Sequence, residues 1–229
     1  MKKGDIKKQE ILTVAEDLFC RKGYDETSVP DILDVLHSSK GSFYHHYESK
    51  ESLLEAMCVR RAEQIARKCA EESEAIPDPC RKLSRLMAGV IPLSDERLSF
   101  LLMLLPVFTT QEGKSVRNCY CDALANAFRP LIAEQIRRCA EEEIVNCRDA
   151  EISASLCLLV VNDLWCRICD RMISAAGAGE EMPDMTPMIN QIRIAVERIL
   201  SAPYGSMALV QLQDLKLLGD QIRLHWKAR

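Results

Sequence analysis

The chain has 229 residues, of which 48% are hydrophobic and only 5% aromatic, and its formal net charge is −4. Such a composition can bury a large core in one or two domains and favours an all-α fold over a β-rich one. The net charge excludes nucleic-acid binding through overall positive charge, so any such binding must use a local basic patch. The cysteines are odd in number and scattered at helical positions, which indicates a reducing, cytoplasmic environment.

The first helix is predicted from Ile6 to Lys22. Its apolar residues recur at helical spacing along one stripe, and Gly23 is suited to end the helix. The stripe consists of Ile11, Leu12, Ala15, Leu18 and Phe19. The residues Lys2, Lys3, Lys7 and Lys8 provide local positive charge near the N-terminus.

Two short helices joined by a tight turn are predicted next. Ser28 and Asp31 have the spacing of a capping box, and Pro30 lies in the first turn, where a missing N–H costs nothing. The turn Leu36-His37-Ser38-Ser39 supplies a serine N-cap for a second helix that continues through Tyr47. This pattern predicts a helix-turn-helix.

The second helix carries most of the residues expected to contact DNA, because hydroxyl, amine and imidazole donors converge there. Base-edge contacts are predicted for Lys40, Ser42 and His45, and phosphate contacts for Ser28, Tyr44, His46 and Lys50. Ser39 and Gly41 complete the predicted DNA-binding residues. Lys50 begins a further helix, whose positive N-terminus could share a phosphate with it. Phe43 and Tyr47, four residues apart, are predicted to face inward.

Three stretches resemble the N-terminal domain of the tetracycline-repressor (TetR) family: IKKQEILTVAEDLFCRKGYDETSV, DILDVL and SSKGSFYHHYESKESLL. The residues in register with the family pattern are Phe19, Gly23, Tyr24, Thr27, Ile32, Ser39, Lys40, Gly41, Phe43, Tyr44, His46 and Lys50. No motif follows Met57. The resemblance implies an all-helical homodimeric regulator, acting as a repressor, that binds a palindromic DNA operator. It also implies that a small-molecule effector enters the C-terminal domain and releases the DNA.

Two turn residues depart from the family pattern, which usually has glycine at the position of His37 and an apolar residue at that of Ser38. The turn residue often needs a positive φ, which histidine adopts at some cost. Ser38 removes an apolar contact from a small core. One alternative is therefore a helical adaptor whose degenerate helix-turn-helix has lost its DNA affinity.

The chain is predicted to have three parts. Residues 1–48 form a three-helix DNA-binding domain, residues 49–202 a helical effector-binding and dimerisation domain, and residues 203–229 an extra C-terminal helix. The fourth helix, Ser49 to Ser73, is predicted to connect the domains as a lever. Later helices are predicted at Pro79–Ile91, Asp95–Leu105, Gln111–Glu143 with a kink at Pro130, Asp149–Ser174, Pro187–Leu200 with Thr186 as its cap, and within Met207–Arg229.

The helices Asp149–Ser174 and Pro187–Leu200 carry apolar faces that suit a homodimer interface, and an ordinary intramolecular core is the alternative. A charge at Ile192 is expected to dissociate the dimer. Large apolar side chains are predicted to line the effector pocket, although the same spacing is typical of core residues. They are Phe100, Met103, Phe108, Tyr120, Phe128 and Trp165.

An enzyme is the rival class. No catalytic residue, cofactor or metal site is predicted, because no Gly-rich phosphate loop, HExxH, GxSxG or paired carboxylate constellation occurs. A thiol-based redox sensor or oxidoreductase would depend on the Cys166/Cys169 pair, whose spacing also suits a metal pair. That pair lies deep in an apolar helix, where inert packing of cysteine is favoured.

No membrane partner is predicted. The N-terminus has no visible signal peptide, and the apolar stretch Ile152–Cys169 contains Asn162, Asp163 and Arg167, which should make it too polar to span a bilayer. The tail after residue 206 carries an excess of basic residues, so a membrane-surface role is an alternative to packing on the rest of the chain. We therefore expect a cytoplasmic protein.

Overall fold

The computed structural model describes residues 3–91, 100, 104 and 111–227, and every regular element within these residues is a helix. The helices are α1 (Lys3–Lys22), α2 (Val29–Leu36), α3 (Lys40–Tyr44), α4 (Lys50–Ser73), α5 (Pro79–Gly89), α6 (Gln111–Glu141), α7 (Ala150–Ala178), α8 (Thr186–Leu200) and α9 (Leu212–Lys227). The predicted all-α class is confirmed. The helix predicted at Asp95–Leu105 lies outside the described residues except for Phe100 and Leu104.

Some helix ends differ from the prediction. Helix α3 ends at Tyr44 and not at Tyr47, because the N–H groups of His46 and Tyr47 both donate to the Phe43 carbonyl and close the helix in a tight turn. Helix α7 continues to Ala178, where Gly179 ends it with a φ of 68° that glycine adopts without strain.

The start of α8 is also corrected. Thr186 lies inside the helix, and Met185 occupies the N-cap position without a side-chain hydrogen bond. The Thr186 N–H instead donates to Oδ1 of Asp184, two residues earlier, over 2.9 Å, which satisfies a donor that has no partner within the helix.

The chain divides into two compact units. The N-terminal unit consists of Met1–Arg61 and Ser99–Tyr120, and the C-terminal unit of Ala62–Leu98 and Cys121–Arg229. Helices α4 and α6 therefore contribute residues to both units. The division falls inside α4 and not at residue 48, and the tail after residue 203 belongs to the C-terminal unit.

The core of the N-terminal unit forms around α1, which packs against α2. The predicted stripe is confirmed: Ile11, Leu12, Ala15, Leu18 and Phe19 are all buried. Gly23 ends α1 with a φ of 96°, and its N–H donates to the Phe19 carbonyl over 3.0 Å. Thr27 is fully buried, and its hydroxyl donates to the Gly23 carbonyl over 2.8 Å. These bonds fix the direction in which the chain enters α2.

The C-terminal unit is organised around α7, which packs against both α8 and α9. The tail helix α9 buries Leu215, Leu218 and Ile222. Packing of the tail on its own chain is therefore confirmed. Its Gly219 lies so close to Met172 that a Cβ would stand 3.2 Å from the methionine Cε, so the absence of a side chain permits this approach.

A buried carboxylate holds the segment between α8 and α9. Glu197 is only 3% exposed, and it forms an ion pair of 2.8 Å with Arg193 one helical turn earlier. Its Oε1 also accepts the N–H groups of Gly205 and Met207, over 2.9 and 3.2 Å. Because a buried charge is costly unless it is paired and hydrogen-bonded, these contacts account for its place in the core.

Helix α7 leaves part of its surface uncovered. Ile152, Leu156 and Leu159, spaced four and three residues apart, are 59%, 47% and 66% exposed and form the apolar stripe of α7. By length and composition, α7 is also the one helix within the described residues that could cross a membrane. Contrary to the prediction from the sequence, Asn162 and Asp163 therefore do not by themselves exclude a membrane-spanning helix. Packing of its other side against α8 and α9 identifies it as a core helix.

The predicted dimer contact at Ile192 is wrong. Ile192 is 1% exposed in the single chain, and Val196 and Leu200 on the same helix are fully buried. These α8 residues form the intramolecular core, because α8 packs its apolar face onto α7. A charge at Ile192 would therefore disrupt folding and not only association.

We expect Gly89→Ala to destabilise the C-terminal unit by about 1–3 kcal/mol, because a Cβ there would lie 2.7 Å from the Cys69 Sγ and 2.7 Å from Cε1 of the buried Phe128 ring. Urea unfolding followed by circular dichroism measures the change. Gly41→Ala is the matched control, since its Cβ would meet nothing nearer than the Ser39 Oγ at 3.9 Å. Equal stability of the two variants would contradict the expected steric conflict.

Candidate nucleic-acid interface

The first part of the interface is the capped start of α2. The Ser28 Oγ accepts from the Asp31 N–H over 3.3 Å, and the Ser28 N–H donates to Oδ2 of Asp31 over 2.7 Å, which completes the predicted capping box. The Ser28 hydroxyl also donates to the same carboxylate over 2.5 Å. These Ser28 bonds, aided by Lys22 at 3.3 Å, lower the pKa of Asp31 to about 2. The carboxylate therefore stays ionised and keeps the cap closed at neutral pH.

The turn between α2 and α3 has the conformation that its position requires. His37 adopts the left-handed region, with φ 46° and ψ 47°, and its N–H points to the carbonyls of Leu33 and Asp34. The Ser38 N–H donates to the Leu33 carbonyl over 3.0 Å. Histidine therefore replaces glycine here without opening the turn, although a non-glycine residue with positive φ carries some strain.

Helix α3 is held from below by aromatic burial. Phe43 is fully buried and Tyr47 is 4% exposed, with their ring centroids 6.0 Å apart, which confirms that they face inward together. The Tyr47 hydroxyl donates to the Lys8 carbonyl on α1 over 3.3 Å, and burial raises the pKa of Tyr47 to about 12. Ser39 caps the helix by accepting the Ser42 N–H on its Oγ over 3.3 Å.

The opposite side of α3 presents polar groups to solvent and is termed the α3 surface. It consists of Ser39, Lys40, Gly41, Tyr44 and His45, which are exposed, with the half-buried Ser42 and His46 at its edge. Tyr44 is 55% exposed, although its ring stands edge-on to Phe43 at 5.3 Å. The imidazoles of His45 and His46 lie 4.9 Å apart. Within the described residues Lys40 forms no ion pair, so its charge is available to a ligand.

Lys50 does not join the α3 surface in the predicted way. Its Nζ donates to the carbonyls of Tyr24 and Thr27, over 3.0 and 3.2 Å, and stands 4.1 Å from the centroid of the Tyr24 ring. The ammonium group therefore ties the first residue of α4 to the turn before α2. The Ser49 cap of α4 is confirmed, since its Oγ accepts the Ser52 N–H over 3.1 Å.

A second contact between α4 and the rest of the N-terminal unit could not be predicted from the sequence. Arg60 Nη2 lies 2.5 Å from Oε2 of Glu16 on α1, and Arg60 Nη1 donates to the Thr13 Oγ1 over 3.1 Å. Both charged side chains are largely buried, which strengthens their interaction relative to an exposed pair. Sequence spacing cannot reveal this pair, because its members belong to different helices 44 residues apart. Arg60 and Glu16 fix the first half of α4 to the helix-turn-helix.

The predicted effector-pocket residues are core side chains where the structure describes them. Phe100 and Tyr120 are buried against each other in the N-terminal unit, with ring centroids 5.3 Å apart. Phe128 and Trp165 are buried in the C-terminal unit, whereas Met103 and Phe108 lie outside the described residues. Each of the four described residues therefore belongs to the core of its own unit. A cavity of about 760 Å³ lies elsewhere, between α5 and the segment that leads into α9.

A capped helix pair with a polar, exposed second helix on a three-helix core is the geometry of a helix-turn-helix DNA-binding domain. Residues 11–57 match the sequence model of the family described as bacterial regulatory proteins, tetR family. Residues 11–57 are therefore similar to the DNA-binding region of the TetR family of transcription regulators.

Among curated relatives, QacR of Staphylococcus aureus is 44% identical over 46 residues, which cover 20% of this chain and 24% of QacR. An HTH-type transcriptional regulator from Lactococcus lactis is 48% identical over 44 residues, covering 19% of this chain and 22% of that protein. The chain thus spans about a quarter of the length of these curated relatives.

One solved structure shares the fold across most of the chain. A protein from Mesorhizobium loti described as a TetR-family transcriptional regulator has a TM-score of 0.54 at 19% identity, over 88% of this chain and 98% of its own. An identity this low shows the fold alone. Similarity to a family of regulators also agrees with the prediction that the chain is not an enzyme. Within the described residues no group of three or more histidine, cysteine or carboxylate side chains could hold a metal ion.

We expect Lys50→Ala to destabilise the N-terminal unit by about 1–3 kcal/mol in the absence of DNA, because two carbonyl oxygens lose a charged donor. Thermal and urea unfolding of the DNA-free protein measure this change. Lys40→Ala is the control and should leave stability unchanged, since its ammonium group faces solvent. Unchanged stability of Lys50→Ala would contradict this structural role and favour the predicted phosphate contact of Lys50.

Proposed function

We propose that the protein is a cytoplasmic transcriptional repressor that binds a palindromic operator as a homodimer and releases it when a small-molecule effector binds. The observation that carries the proposal is the α3 surface, where Lys40, Tyr44 and His45 are exposed on a helix whose other side is anchored by Phe43. The closed turn at His37 supports this proposal over a helical adaptor with a degenerate helix-turn-helix.

The residues divide into two kinds of DNA contact. Lys40, Ser42 and His45 are placed near the exposed start and outer face of α3, so we assign them to base edges in the major groove. The Tyr44 hydroxyl and the His46 imidazole supply hydrogen-bond donors for phosphate. Ser28 contributes through the capped N-terminus of α2 and not through a free hydroxyl, because Asp31 engages that hydroxyl.

The proposed dimer interface is the apolar stripe of α7. Three adjacent large side chains that are about half or more exposed form a contiguous apolar surface, and burial of such a surface favours association. A symmetric pair of these stripes would bring two helix-turn-helix units into one dimer, as a palindromic site requires.

Coupling between effector and DNA is assigned to α4. Lys50 and Arg60 tie its first half to the helix-turn-helix, and its second half, from Ala62 onward, belongs to the C-terminal unit. A helix is stiff along its axis, so an effector that displaces the second half of α4 would move the α3 surface. The related fold of RolR, at a TM-score of 0.56 and 13% identity over 95% of this chain and 94% of that one, was solved in complex with resorcinol. A small organic effector is therefore compatible with this architecture.

The DNA proposal predicts that selection from a genomic fragment library will enrich a palindromic sequence, on which Lys40→Ala weakens binding by about 1–3 kcal/mol. On a scrambled duplex the loss should be smaller, because only the phosphate attraction is removed there. Fluorescence anisotropy at several salt concentrations measures both. Lys216→Ala, an exposed lysine of α9, is the matched control and should bind like wild type. Failure to enrich any sequence would overturn the proposed function. Equal losses of binding free energy on both duplexes would show that Lys40 does not contact base edges.

The dimer proposal predicts that the wild-type chain sediments as a dimer at micromolar concentration and that Leu159→Glu sediments as a monomer with an unchanged helical spectrum. Leu159 is 66% exposed in the single chain, so a charge there disfavours association without disturbing the fold. Leu224→Glu, at a 60% exposed position of α9, should remain dimeric. A dimeric Leu159→Glu variant would place the interface elsewhere.

A further inference from the structure

Two thiols from different helices meet inside the C-terminal unit. The Sγ atoms of Cys121 on α6 and Cys166 on α7 lie 3.5 Å apart, although the residues are separated by 45 positions in the chain. Both residues are half-buried. This contact differs from the predicted redox pair, which was Cys166 and Cys169. Cys166 instead contacts Cys121 on the neighbouring helix, and Cys169 is buried at 3% exposure.

The surroundings hold the two thiols in place. The Asn162 Nδ2 on α7 donates to the backbone carbonyl of Cys121 over 3.2 Å, one helical turn before Cys166. Trp165, next to Cys166, is buried in the core of the unit. A disulfide has an S–S length of about 2.05 Å, so the sulfur atoms must approach by roughly 1.5 Å from their present contact.

The buried thiols of this unit are poor competitors. Cys157 and Cys139 are buried, and burial raises the pKa of Cys157 to about 12 and that of Cys139 to about 11. A thiol with so high a pKa contains almost no thiolate, which is the nucleophilic form. Cys169 is buried as well. Cys80 and Cys147 are half-buried like the proposed pair, so it is the Sγ–Sγ contact of 3.5 Å that singles out Cys121 and Cys166.

We propose that Cys121 and Cys166 form a reactive dithiol site that a peroxide oxidises to a disulfide linking α6 to α7. One thiolate attacks a peroxide oxygen, the O–O bond breaks, and the product is a sulfenic acid with one water. The second thiolate attacks the sulfenic sulfur, the S–O bond breaks, and the hydroxide leaves as a second water. Two thiols thus lose two protons and two electrons, and one hydrogen peroxide becomes two waters. A small thiol reductant reverses the reaction by exchange.

This inference goes beyond the proposed regulatory function and does not depend on it. The disulfide would close a loop between α6 and α7, which restricts the unfolded chain and the relative movement of the two helices. The site is a modification site for peroxide-class oxidants, and its chemistry can be measured on the protein without DNA or effector.

The test treats the reduced full-length protein with hydrogen peroxide, blocks the remaining thiols and maps the disulfides by mass spectrometry. Trypsin with chymotrypsin separates the relevant cysteines from their neighbours, because cleavage after Tyr120, Trp165 and Arg167 isolates Cys121 from Cys119 and Cys166 from Cys157 and Cys169. The expected product is the segment 121–128 linked to the dipeptide 166–167. It should be lost on reduction, and native thiol titration should fall by two per chain.

Single Cys→Ser variants distinguish oxidation of this pair from general oxidation of the thiols. Cys121→Ser and Cys166→Ser should each abolish the linked product, whereas Cys119→Ser and Cys169→Ser, the neighbouring thiols on the same helices, should retain it. Oxidation of folded wild type that leaves segments 121–128 and 166–167 unlinked would overturn the proposal, as would equal yields of several unrelated disulfides. Because the linkage is mapped on the wild-type chain, the result does not depend on whether a variant folds.

Discussion

A helix of five residues has too few internal hydrogen bonds to persist in water, so α3 depends on the burial of Phe43 and Tyr47 beneath it. The two rings fix both the position of α3 and its rotation, and the Tyr47 hydroxyl extends the anchor to the backbone of α1. Once those rings face the core, Lys40, Tyr44 and His45 must face solvent, because a helix has only one other side. The exposure of the α3 surface is thus a consequence of aromatic packing.

The same unit uses several of its basic residues for structure. Lys50 satisfies two carbonyl oxygens, Arg60 pairs with Glu16, and Lys22 lies against Asp31. These positive charges are therefore partly or wholly compensated within the chain, whose net charge is already −4. In the proposed function, DNA binding would therefore draw on hydroxyl and imidazole donors, helix N-termini and a small number of uncompensated cations. Such an interface has a shallower salt dependence than one that neutralises many phosphates.

In the C-terminal unit, α7 combines several roles on different sides of one helix. One side packs on α8 and α9, the apolar stripe of α7 faces outward near its start, and Cys166 meets α6 further along. A chemical change at Cys166 therefore acts on the same rigid element that carries the proposed dimer surface. The buried Glu197 joins α8 to the tail, so the tail is an integral part of this unit.

The sequence by itself determined what depends on near neighbours in the chain. The Ser28–Asp31 capping box, the positive φ at His37 and the inward pair Phe43 and Tyr47 all involve residues within four positions of each other, where local geometry leaves few choices. Helix periodicity likewise identified the stripe of α1 and most of the helices.

Only the tertiary structure decided which distant groups meet. A lysine at the start of a helix is equally suited to a phosphate or to a protein carbonyl, and Lys50 takes the carbonyls because the turn before α2 folds back beside it. Ile192 has the same helical spacing whether its face meets α7 or a second chain, and packing against α7 makes it core. Cys166 lies near Cys169 in sequence but meets Cys121, because the packing of α6 against α7 joins residues that no local pattern relates.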